Sequence, residues 1–125
     1  MTWFTRNKIL KVSLNGDVKD VKGIVVKLKD IFAFEIVGLT REELCSRRGF
    51  DRYRASLTIY VNDNDFLGTI YIDFEYDVEH VTHKHELNGV TVTVYGFTPH
   101  PEVITELVKK LNLNVKSLEI EDLIE

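Results

Sequence analysis

Two alternating runs, RYRASLTIYVN at 52–62 and TIYIDFEYDVE at 69–79, constrain this chain more than any other feature. Side chains on a strand point to opposite faces in turn, so each run has an apolar side and a polar side. The turn-rich stretch DNDFLG lies between them, which predicts an antiparallel hairpin. Pairing with position numbers summing to 131 sets Leu57 against Phe74, Ile59 against Ile72 and Val61 against Ile70. The same register sets Arg52 against Glu79, Arg54 against Asp77 and Tyr60 against Tyr71. One register thus satisfies both faces, which is how strand pairing is usually fixed.

That pairing bears on two clusters that would otherwise suggest binding sites. Asp73, Glu75, Asp77 and Glu79 share one strand face at i, i+2 spacing, as a cation site would require. Arginines opposite them make a solvated, charge-paired face the expectation instead. Of Arg41, Arg47, Arg48, Arg52 and Arg54, only Arg47 and Arg48, beside Gly49, remain as an anion-binding candidate. The competing reading makes them ordinary partners for the negative end of a helix.

Elsewhere the periodicity changes. Residues 8–14 alternate and read as a strand ended by Asn15-Gly16. In 17–32, Val18, Val21, Ile24, Val25, Leu28 and Ile31 recur every three or four positions, which predicts an amphipathic helix capped by Asp17. Residues 34–39 read as a short strand. Thr40 and Glu43 form a capping-box signature flanked by Leu39 and Leu44, which predicts a two-turn helix over 40–49 stopped by Gly49. Cys45 would lie buried on its apolar side. Pro101 and Glu102 open a helix over 101–111 with Val103, Ile104, Leu107, Val108 and Leu111 as its stripe. Leu118 and Ile120 alternate with Glu119 and Glu121 in a short last strand.

The expected fold is a single α+β domain spanning 1–125. A curved antiparallel sheet of about five to six strands, with a meander over 52–97, packs on one face against an N-terminal helix and a long C-terminal helix. This order is similar to the helix-grip architecture of START-like lipid- and ligand-binding domains. There a curved sheet wraps a long C-terminal helix over a cavity. The resemblance implies a ligand space between sheet and helix, and the segment 113–125 departs from it.

Three of the four histidines fall within EHVTHKHELNGV. Asn88-Gly89 is a strong two-residue hairpin signal, and a turn there would face Leu87 with Val90 and His85 with Val92. His83 and His85 would then share the apolar face, with His80 on the other. A His-x-His pair on one face is a metal-ligand spacing. A transition metal needs three or four donors; His80, His100 and the carboxylates of Glu79 and Glu86 are the sequence candidates to complete a set with His83 and His85, with Glu86 on the opposite face in this register. The apolar positions are even from Ile70 to Val78 and odd from Val81 to Leu87, so a bulge or tight bend near Glu79-His80 is expected.

Composition narrows the class. One cysteine excludes an intramolecular disulfide or a Cys-based zinc site within the chain, and fits an intracellular, cytoplasmic setting. No apolar run is long enough for a membrane span. The absence of glutamine, with abundant Lys, Glu, Val and Ile, fits a heat-adapted source. The net charge of −4 is uneven. Residues 1–54 carry twelve Lys and Arg against seven Asp and Glu, and residues 55–125 carry four against thirteen. A basic half suggests nucleic-acid binding, and neutralisation between the halves is the alternative. There is no glycine-rich phosphate loop, nucleophile elbow or HExxH motif.

The leading expectation is therefore a non-catalytic binding domain with no cofactor. It would hold a small apolar ligand or a protein partner, a second copy included, between the sheet and the C-terminal helix. Phe74, Tyr76, His83 and His85 would line the site. A metal site on His80, His83, His85 and His100 is the alternative, and nucleic-acid binding by the basic half is a further one.

Overall fold

The computed structural model describes residues 8–16, 20–100 and 102–122. Six strands and two helices follow in the order β1 (Lys8–Gly16), α1 (Val21–Lys29), β2 (Phe34–Ser46), β3 (Phe50–Asn62), β4 (Leu67–Glu79), β5 (His85–Phe97), α2 (Glu102–Leu111) and β6 (Asn114–Asp122). The strands form one sheet in the order β2-β3-β4-β5-β1-β6, with every neighbouring pair antiparallel. The α+β class holds, with the sheet dominating. No helix among the described residues is long and apolar enough to cross a membrane.

One sheet face forms the core. Leu10, Val12 and Leu14 of β1, Leu57, Ile59 and Val61 of β3, Ile70 and Ile72 of β4, and Val90, Val92 and Val94 of β5 are buried there. These are alternate residues along each strand, as a sheet covered on one side requires. Ile24 and Leu28 of α1 and Val103, Leu107 and Leu111 of α2 complete the core. Lys110 on α2 reaches Asp30 at the end of α1 at 3.6 Å.

The helix over 17–32 forms later than the pattern suggested. Asp20 caps it, its Oδ1 accepting the Lys22 N–H at 3.0 Å. The expectations at Asp17, Val18 and Pro101 lie outside the described residues. The C-terminal helix is not long. It has ten residues, and Asn112, left-handed at φ 53°, ends it. Residues 114–122 then pair with β1, so the helix-grip comparison fails at its defining element.

The helix expected over 40–49 does not exist. β2 continues through Thr40, Glu43 and Cys45 to Ser46, paired with β3 along its length and interrupted by bulges at Val37 and Leu44. A capping box offers about 1 kcal/mol of local preference, and a full backbone ladder overrides it. Cys45 is half-buried on this edge strand, not enclosed on a helix. Gly49, at φ 98°, turns the chain into β3, a backbone state that glycine adopts without a Cβ penalty.

The β3–β4 hairpin has the expected faces and a register displaced by two residues. Leu57 pairs with Ile72, Ile59 with Ile70, Arg52 with Asp77 and Arg54 with Glu75. The cause is the loop. Asp63 Oδ1 accepts the N–H groups of Asp65 and Phe66 at 2.9 and 2.8 Å, closing the turn over Asp63, Asn64, Asp65 and Phe66. Phe66 is fully buried, against Phe32 with ring centroids 5.3 Å apart.

Asn88-Gly89 is not a hairpin turn. β5 runs straight through it, and the chain reverses instead at residues 80–84. Glu75 pairs with Gly89 and Tyr76 with Leu87, leaving Asn88 as the extra residue of a β-bulge. The phase change expected near Glu79-His80 therefore falls at Asn88, with a tight turn following Glu79.

Candidate functional site

The bulge determines what the open end of the sheet presents. An extra residue reverses the facing of every residue beyond it. Val90, Val92 and Val94 are even-numbered and in the core, whereas His85 and Leu87, on the other side of Asn88, reach the same face from odd positions. β1 ends opposite Val90. Strands β2 to β5 thus extend past it, and their last rows carry side chains that the core cluster does not absorb.

Those rows contain a ladder with one side chain from each of four strands. Arg41 of β2 lies over the Tyr53 ring of β3 at 5.0 Å. Tyr53 stacks on Tyr76 of β4 at 5.5 Å and 21°, and Tyr76 stacks on His85 of β5 at 5.5 Å and 22°. Phe74 leans on Tyr76 at 5.9 Å. Strands lie about 4.8 Å apart and side chains stand roughly perpendicular to the sheet. Rings on adjacent strands therefore cover each other's faces, turning their edges and polar ends away from the backbone. Among the described residues neither the Tyr53 nor the Tyr76 hydroxyl has a hydrogen-bond partner.

The ladder borders a cleft of about 630 Å³, within the range of roughly 300–1,000 Å³ common for small-molecule sites. Leu39, Ala55, Phe74 and Leu87 supply apolar wall, and Arg41, Tyr76 and His85 the polar side. Asp20, Val21 and Lys22 at the start of α1 close it opposite. The Asp20 carboxylate is engaged in capping α1. Arg41 and Lys22 have no carboxylate within ion-pair distance among the described residues.

Of the expected ligand-site residues, Phe74, Tyr76 and His85 come together here. His83 does not. It sits exposed in the turn at φ 58°, and its carbonyl lies 3.1 Å from His85 Nδ1. The expected cleft under the C-terminal helix is replaced by one beside α1, because Val103, Leu107 and Leu111 fill the space under α2. Leu39, Arg41, Tyr53, Ala55 and Leu87 were missed. Tyr53 shares the odd-numbered face of Leu57 and Ile59, a visible signal, but the displaced register set it against Val78 rather than Tyr76.

The histidines proposed as metal ligands have separate partners. His80 Nε2 lies 2.9 Å from Asp51 Oδ1, which also accepts the Ser46 hydroxyl at 2.6 Å. Together, His80 first, these bonds hold the Asp51 carboxyl below its ordinary range. His100 lies at the opposite end of the strands, 3.7 Å from both Asp65 and Glu102. Among the described residues no group of three or more His, Cys, Asp or Glu is placed to hold a metal ion.

Arg47 and Arg48 are exposed at the β2–β3 turn and not at a helix end. Arg52 and Arg54, from the basic half, meet Asp77 and Glu75 from the acidic half at 2.8 and 3.1 Å. Comparison with protein-family models, curated proteins and solved structures gave no match in any of the three.

Proposed function

We propose that the protein is a binding domain that takes up a small apolar ligand in the cleft between α1 and the open end of β2 to β5. The observation that carries this reading is the exposed apolar wall beside the aromatic ladder. Leu39 is 67% exposed, and Phe74 and Leu87 are only partly covered. Apolar surface left uncovered beside a few convergent polar groups is the common make-up of a ligand site.

Titration with anilinonaphthalene sulfonate, an apolar probe that brightens on burial, tests it. Binding is expected with amide shift changes centred on Leu39, Phe74 and Leu87. Leu39→Glu, at an exposed position that the fold does not need, is expected to abolish it. Unchanged probe fluorescence with the folded wild-type protein would sink the proposal.

Exposed Ile36 and Val37, 54% and 56% exposed on edge strand β2, favour a second reading, a protein partner added along that edge. Its simplest occupant is a second copy of the chain. Sedimentation at rising concentration tests this, and a monomer throughout would remove the self-association form.

A further inference from the structure

The polar side of the cleft carries information about the ligand's head. Donors collect there. Arg41, Tyr76 and His85 line it, and the Tyr53 ring lies between Arg41 and Tyr76. Guanidinium offers only donors and a phenol offers one, whereas His85 Nδ1 is already engaged with the His83 carbonyl. Tyr76 is only 9% exposed, and its hydroxyl has no hydrogen-bond partner among the described residues. Tyr76 lines the cleft, so its phenol donor is open to an acceptor bound there.

Charge points the same way. Among the described residues, Lys22 and Arg41 are the cations lining the cleft and Asp20 the one carboxylate, already accepting a backbone N–H. The surroundings are therefore net positive in a chain whose net charge is −4. The rest of the lining is apolar: Val21, Leu39, Ala55, Phe74 and Leu87.

Building on the ligand reading above, we infer that the ligand is an amphiphilic carboxylic acid. Its apolar body lies along Leu39, Phe74 and Leu87, and its carboxylate is received by Arg41 and the Tyr76 hydroxyl. An ionised carboxylate accepts several donors at once and pairs with guanidinium in a fork geometry. An uncharged apolar molecule would leave these donors unused.

A matched pair of probes isolates the head group. Decanoate and decanol share an apolar chain and differ at one end. Calorimetric titration of the whole chain at neutral pH, below the aggregation limit of the probes, is expected to show decanoate binding about tenfold tighter or more, the range for hydrogen bonds to a charged group. Arg41→Met is expected to weaken decanoate by about tenfold and to leave decanol within about twofold. Tyr76→Phe keeps the ring and removes the hydroxyl, and it is expected to reduce the preference for the acid without lowering the unfolding temperature.

Equal affinity for the two probes overturns the head-group inference and leaves the apolar cleft standing. So does acid binding indifferent to Arg41→Met. Failure of both probes to bind the folded protein overturns the inference and the ligand reading together.

Discussion

Arg52 grips Asp77 with two hydrogen bonds, Nε to Oδ1 at 2.8 Å and Nη2 to Oδ2 at 3.2 Å, joining β3 to β4 on the outer face. The Arg52 guanidinium, helped by Asn88, holds the Asp77 carboxyl below its ordinary value of 3.8. A depressed folded-state pKa contributes stability that is present above the unfolded value and lost as pH falls through the folded one. Wild type is expected to be more stable than Asp77→Asn at neutral pH, with the two converging below about pH 3.8. Urea unfolding across that range checks it, and a gap independent of pH would count against the assignment.

Deleting Asn88 removes the bulge. The core valines Val90, Val92 and Val94 hold their facing, because their burial dominates that end of β5. The phase change must then fall on His85 and Leu87, which are expected to turn to the outer face. The fold should survive and the cleft should lose its ladder end. Retained far-UV dichroism with loss of probe binding is the predicted pair of results. Intact binding would show that the strand rebuilds the bulge elsewhere.

Phe66 leaves the β3–β4 loop to fill the core beside Phe32. Phe66→Ala is expected to cost about 3–5 kcal/mol, the usual range for truncating a buried aromatic ring. Chemical denaturation measures it. A loss below about 1 kcal/mol would mean the loop collapses into the space.

Gly68 and Gly96 face one another across β4 and β5. A Cβ on Gly96 would lie 2.8 Å from the Gly68 Cα and 2.9 Å from the Phe66 ring, and would also press on the Leu67 carbonyl. Much of that obstacle is backbone, which yields little. Gly96→Ala is therefore expected to destabilise by about 3 kcal/mol, the upper end of ordinary overpacking. Combined with Phe66→Ala it should cost less than the two separately, because one clash is with the ring removed. Strict additivity would exclude that shared contact.

These residues also show where local sequence is informative. The alternation in 52–79 revealed which side chains face inward, because burial acts on every second residue. The register expected from it is off by two, since a two-residue slide preserves facing and satisfies both faces equally, and only the Asp63 turn and the diversion of Phe66 fix the count. Asn-Gly suits both a two-residue turn and a bulge, so the dipeptide alone does not distinguish them. The facing of Phe74 and Tyr76 was legible from alternation, whereas that of His85 was expected from a turn at Asn88-Gly89 that does not form and comes instead from the bulge. Arg41 was hidden because Thr40 and Glu43 mimic a helix start, while the β3 partner that makes them strand lies farther along the chain.

Strand order has a consequence for how the chain comes together. β2 to β5 form a meander of sequence neighbours, whereas β1 lies between β5 and β6, with Ile9 opposite Phe97 and Glu121. Among the described strands, β1 therefore has no pairing partner until β5 has been made. Throughout that interval Leu10, Val12 and Leu14, destined for the core, have no sheet to join. Closing the sheet thus depends on a contact between segments far apart in sequence, of the kind that slows folding.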